Sequence, residues 1–191
     1  MKGDSMRPKH RFLAAVLATA LVVLHTEGAR AASASEIEAG ATAALEHLYA
    51  TSPGARALGE KAKAVLVFPE IVKGGFIVAG QYGDGVLRKG GKTVGFYRSV
   101  AASYGFQAGI QTFGYALFFM DDESLRYLSE SQGWELGVGP SIVILDEGMA
   151  MNVSTTTLQK GVYAFFFNQE GLMAGIGIQG TKITPFQPSK Y

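Results

Sequence analysis

The chain has 191 residues, 48% of them apolar and 17% charged, with a formal net charge of +1. That is room for one domain with a real core, and it excludes both a disordered composition and a strongly basic nucleic-acid binder. The lack of cysteine excludes disulfides, thiolate chemistry, cysteine-held metals and a lipid-modified N-terminal cysteine.

Lys2, Arg7, Lys9 and Arg11 precede an unbroken run of apolar residues, Ala and Thr from Phe12 to Leu24. Small residues follow, with Ala29-Arg30-Ala31 as a cleavage pattern and Ala32-Ser33-Ala34 as a second one. Residues 1–31 therefore read as a secretory signal peptide. The apolar run is shorter than the roughly 20 residues of a spanning helix. The segment carries a net +3, so residues 32–191, read as a single domain, carry −2. Export to the periplasm or cell envelope, or secretion, is the expected localisation.

Ser35 to about Ala50 reads as an amphipathic helix, with Ile37, Ala41, Ala44, Leu45 and Leu48 at spacings of three and four. Ser35 and Glu38 fit a capping box, and Ser52-Pro53-Gly54 a stop signal. A second short helix is expected from Ala55 to about Ala62. From Ala64 the pattern turns to β, with short strands expected at Val65–Phe68, Phe76–Ala79, Thr93–Val100, Tyr104–Gln111 and Phe113–Met120. Asp84-Gly85 and Lys89-Gly90-Gly91-Lys92 are hairpin-turn signals. Asp121-Asp122-Glu123 opens a short helix to about Ser131, with acids at the positive end of its dipole. Strands resume at Trp134–Gly139, Ser141–Leu145, Val162–Asn168 and Leu172–Gln179, and Pro185 and Pro188 end the regular structure.

Many glycines flank aromatics within these runs, as in Gly95-Phe96-Tyr97 and Phe113-Gly114-Tyr115. Glycine permits bending and close backbone approach. The expected fold is α+β, with the N-terminal helices packed on a strongly curved, Gly-rich antiparallel sheet or partial barrel. Gly105-Phe-Gln-Ala-Gly-Ile110 and Gly171-Leu-Met-Ala-Gly-Ile176 share one pattern, a trace of internal similarity.

Catalytic signals fail on context. Gly175-Ile-Gly-Ile-Gln-Gly180 spells a dinucleotide fingerprint but has no helix and no acidic residue following it. Gly91-Lys92-Thr93 resembles the end of a phosphate loop, but Val86 stands where the first glycine belongs. After residue 31 His47 is the one histidine, beside Glu46 on a predicted helix, so Ser-His-acid chemistry has no placed base. The adjacent acids Asp121-Asp122-Glu123 and Asp146-Glu147 lack the alternating spacing of a calcium loop. The chain is expected to be no enzyme and to need no cofactor and no metal.

Charge placement says more. Residues 32–98 carry a net +2 and residues 99–191 a net −4. If 61–98 folds as adjacent hairpins, Lys61, Lys63, Lys73, Arg88, Lys89, Lys92 and Arg98 can share one face that attracts phosphate headgroups, at about 1 kcal/mol per basic residue.

The spaced segments Ala64-Val-Leu-Val-Phe-Pro-Glu-Ile-Val-Lys-Gly-Gly-Phe76, Gly80-Gln-Tyr-Gly-Asp-Gly-Val86, Ser103-Tyr-Gly-Phe-Gln-Ala-Gly-Ile-Gln111 and Gly171-Leu-Met-Ala-Gly-Ile-Gly-Ile-Gln-Gly180 resemble, in order, the SYLF domain family. The resemblance runs from about Ser35 to Thr184. It implies lipid binding, with anionic phospholipids or phosphoinositides as partners at a peripheral membrane surface. Eukaryotic relatives also bind actin, a role the export signal argues against here. The acidic first helix departs from the family's basic N-terminal lipid contacts, which leaves the Lys61–Arg98 set as the expected lipid site. The rival expectation is a small outer-membrane or envelope scaffold protein without enzymatic activity.

Overall fold

A computed structural model describes residues 32–130, 134–135, 140–145, 161–171 and 180–189. The unit from Ala32 to Tyr191 is compact by itself, so the chain starting at Ala32 is the sample for the experiments below.

The first helix, α1 (Ala34–Thr51), forms where the apolar spacing lies, and Ile37, Ala41, Ala44 and Leu48 are all buried. Its cap is Ser33 with Glu36, not Ser35 with Glu38: the Ser33 N–H donates to Glu36 Oε2 at 2.7 Å and the Glu36 N–H returns to Ser33 Oγ at 3.4 Å. Both pairs have the capping-box spacing. The earlier pair wins because the chain is also held there, by an Ala34 N–H donated to the Ser189 carbonyl at 3.1 Å. Ser52 then caps a second helix, α2 (Pro53–Lys61), which starts two residues earlier than the sequence suggests. Proline at its start lacks an N–H the helix would leave free anyway.

The expected short strands fuse into two long ones, β1 (Ala64–Lys89) and β2 (Lys92–Phe119), paired antiparallel along their length. Gly90 and Gly91, at φ 56° and 77°, make the tight turn between them, as expected. Asp84-Gly85 makes no turn. It lies inside β1, opposite Arg98 and Tyr97. Pro69 does not close a strand either, because a register shift between Phe68 and Ile71 accommodates it.

A helix α3 (Asp122–Glu130) follows, where the acidic run places it. The remaining strands are β3 (Trp134–Glu135), β4 (Ile142–Leu145), β5 (Val162–Gly171) and β6 (Lys182–Phe186). Beside β1, β2 carries β6 along 96–100 and β5 along 111–119. The sheet curls into a half-barrel with the helices N-terminal, the expected α+β class. Two details differ. β4 pairs parallel to β5, and β6 continues through Pro185, whose missing N–H does not stop the strand. The expected strand at Leu172–Gln179, the 136–139 end of another, and all but Gly180 of the G-x-G-x-x-G run lie outside the described residues.

Each face of the sheet has its own core. The outer face buries Val65, Val67, Val86 and Phe118 under α1 and α2. The inner face buries Leu66, Phe68, Ile71, Tyr115 and Leu117 with Leu128 of α3, Trp134 and Ile183. Each large apolar side chain fully buried this way contributes about 1.5–3 kcal/mol. Inside the inner core the Tyr115 hydroxyl donates to Ser99 Oγ at 2.8 Å. Burial pushes the Tyr115 pKa well up, so the hydroxyl stays protonated.

Asp121 joins α3 to β5. Its carboxylate accepts the Ser124 N–H at 2.8 Å and the Gly161 N–H. Burial raises its pKa, but backbone N–H donors outweigh that and hold it below the usual carboxylate value. A group with a lowered folded pKa stabilises above its unfolded pKa and loses that contribution as pH falls through the folded one. Asp121→Ala is expected to cost about 1 kcal/mol at neutral pH as a lost cap. The gap to the parent narrows as pH falls below the ordinary carboxylate range and through the lowered folded pKa, where the parent's carboxylate also protonates, as urea midpoints at a series of pH values would record.

Candidate functional site

The seven basic residues do not share one face with one role. Arg88, near the end of β1, points back to α1: its Nη2 donates to the Glu38 carbonyl at 3.2 Å and to Thr42 Oγ1. Arg98 on β2 is held by Asp84 at 2.8 Å and 3.1 Å and lies over the Phe186 and Tyr82 rings. Both tie elements of the fold together. Lys73 stands far along β1 from the turn, opposite Gln111 of β2.

Of the other four, Lys63 and Lys89 stand at the start of α3, and Lys61 and Lys92 are their neighbours. Lys63 lies 3.7 Å from Asp122, with Lys61 two residues before it at the end of α2. Lys89 lines a hollow of about 430 Å³ with Asp122, Glu123, Leu125, Arg126 and Ser129. Lys92 faces Lys89 directly across the Gly90-Gly91 turn, and both are exposed. This end is cationic but not purely so, because Asp122 and Glu123 stand among the lysines. The Lys63–Asp122 pair is exposed and contributes about 0–1 kcal/mol. Among the described residues Lys61, Lys73, Lys89 and Lys92 have no ion pair.

His47 is exposed on α1, apart from any acid–base constellation, and the described residues hold no group of three or more candidate metal ligands.

A second surface was not singled out by the sequence reading. Where the ribbon of β1 and β2 bends, Val72, Phe76, Ile77, Val78 and Ile110 are exposed. One β1 residue there, Ile77, spans the gap between the Phe76–Ala108 and Val78–Tyr104 pairs, so the two strands are out of step by two residues. Ile77 itself sits at φ 65°, a region β-branched residues rarely occupy. The sequence signal that could have found this surface is the near absence of charge: Lys73 is the one charged residue in 71–82 and 99–112.

Two comparisons bear on the whole. Residues 100–188 match the family model Ysc84, described as Las17-binding protein actin regulator, the model of the SYLF domain. No curated protein matches the chain.

Proposed function

We propose, with the SYLF-type domain match over 100–188 as premise, that this chain is an exported, non-enzymatic lipid-binding protein. It docks peripherally on anionic, phosphoinositide-like headgroups outside the cytoplasm. The observation that carries the reading is the lysine pair at the end of the ribbon. Lys89 and Lys92 stand opposite each other on neighbouring strands. Like charges so placed destabilise a hairpin, and the turn itself needs only Gly90 and Gly91. An anion held against the pair relieves the repulsion. Lys61 and Lys63 extend the same end, while Asp122 and Glu123 weaken its field. Arg88 and Arg98 are left out of the docking set, since their guanidinium groups are engaged within the fold.

A second reading, an envelope scaffold that binds a protein, is favoured by the family description, which names a protein partner rather than a lipid.

Vesicle co-sedimentation of the chain from Ala32 tests the first reading. Phosphatidylcholine vesicles with phosphatidylglycerol or a phosphoinositide should bind it, and pure phosphatidylcholine far less. Lys89→Glu with Lys92→Glu should weaken binding by at least tenfold, since each lysine near an anionic surface contributes about 1 kcal/mol and the reversal adds repulsion. Added salt should weaken the parent in the same direction. Unchanged binding by the reversed pair would remove these lysines from the site.

A further inference from the structure

We propose that the bend of the β1–β2 ribbon is a membrane-insertion tip whose apolar side chains enter the acyl boundary of an anionic bilayer. The inference rests on the lipid-binding reading for the class of partner, and it adds a second, apolar site away from the lysine turn.

The first ground is continuity of one face. Side chains alternate across a strand, so the face that buries Val65, Val67, Val86 and Phe118 under α1 and α2 can be followed along the ribbon. The register shift between Phe68 and Ile71 carries that face on to Val72 and Phe76, with Ile110 beside them on β2. Beyond the bend it continues through Val78, Tyr82 and Val100. These residues keep the apolar character of the helix-covered part without the cover: Phe76 is 74%, Ile110 69% and Val78 59% exposed. Contiguous exposed apolar surface of this kind marks an interaction site.

The second ground is charge. Lys73 is the one charged residue in 71–82 and 99–112. No carboxylate of the bend would meet an anionic headgroup, and the long lysine stem can follow apolar surface while its ammonium stays among phosphates.

A stable protein interface buries a shape-matched patch of roughly 800 Å² on each partner. A bilayer needs no matching shape. It takes up single apolar side chains wherever they reach the headgroup boundary, and anionic lipid adds electrostatic attraction.

The test uses the chain from Ala32 with phosphatidylcholine–phosphatidylglycerol vesicles. Phe76→Ser with Ile110→Ser removes the two most exposed large apolar side chains among the described residues and should lower partitioning about tenfold or more. The loss should persist at high salt, where the contribution of the lysine turn is screened. Phe76→Trp should shift its emission to the blue on vesicle addition and be quenched by lipids brominated along the chain. Parent-like partitioning of the double serine variant, or an unquenched Trp at 76, overturns the tip while the lysine-turn reading stands. Failure of the parent to bind any vesicle overturns both. A parent dimer that the double variant converts to monomer, with vesicle binding unchanged, assigns the face to a second copy and also overturns the tip.

Discussion

Gly85→Val is expected to lower stability by about 3 kcal/mol or more, a large share of what holds a domain of this size together. Gly85 lies in the return limb of β1, on the inner face, where the curl of the sheet lays it against the outgoing limb of the same strand. A Cβ at Gly85 would stand 2.5 Å from the Val67 carbonyl oxygen and 2.6 Å from the Phe68 ring. Phe68 is fully buried and the other neighbour is backbone, so neither can move aside. Gly83 repeats the arrangement one step earlier, against the Glu70 carbonyl and Ile71. The two positions let the limbs meet at backbone distance. Gly80→Ala is the matched control: no atom lies within 4 Å of its added methyl, and a change within about 0.5 kcal/mol is expected. Urea midpoints for the two variants and the parent check both, and equal midpoints for Gly85→Val and the parent would contradict the close approach of the limbs.

These glycines also mark where the sequence could and could not be read. The helices were legible because their signals are local: apolar residues at helical spacing, a Ser-Pro-Gly stop, an acidic first turn. The class was legible for a similar reason, since glycine beside aromatics predicts bending whatever the strand order. Asp84-Gly85 was open to misreading because glycine serves two purposes. In a turn it supplies a positive φ, as at Gly90 and Gly91. At Gly83 and Gly85 it supplies missing volume against a limb over ten residues away. Local pattern does not separate the two uses, so one long bent strand looks like several short ones. β6 was hidden by Pro185, and the parallel pairing of β4 with β5 has no signal in either segment.

The candidate site divides the same way. The basic residues were visible by type, but the partners that give each its role lie far off in sequence. Arg88 reaches Glu38 and Thr42 across about fifty residues, a separation that no motif encodes. The lysine turn was legible because Lys89-Gly90-Gly91-Lys92 is local. The apolar bend had a signal in its lack of charge, but buried strands lack charge too, and only the end of helix cover distinguishes them.

Arg98→Met is the second large effect, and it separates a fold-holding cation from a docking one. The guanidinium joins three strands. It pairs in two-point fashion with Asp84 of β1, projects from β2, and stacks 4.3 Å from the ring centroid of Phe186 on β6. The Asp84 side chain is only 9% exposed and also accepts the Tyr82 hydroxyl at 3.0 Å. Methionine keeps much of the stem's packing but leaves a nearly buried carboxylate without its cation. Breaking such a pair from one side costs about 3–5 kcal/mol when fully buried. With Arg98 partly solvated, about 2–3 kcal/mol is expected. Adding Asp84→Asn should recover part of the loss, because the stranded charge rather than the missing bond dominates it. At temperatures where Arg98→Met stays folded, its affinity for anionic vesicles should match the parent's. Arg98 already spends its charge on Asp84, whereas Lys89 and Lys92 have no carboxylate bound to them among the described residues. A fall in vesicle affinity without a fall in stability would instead return Arg98 to the lipid site.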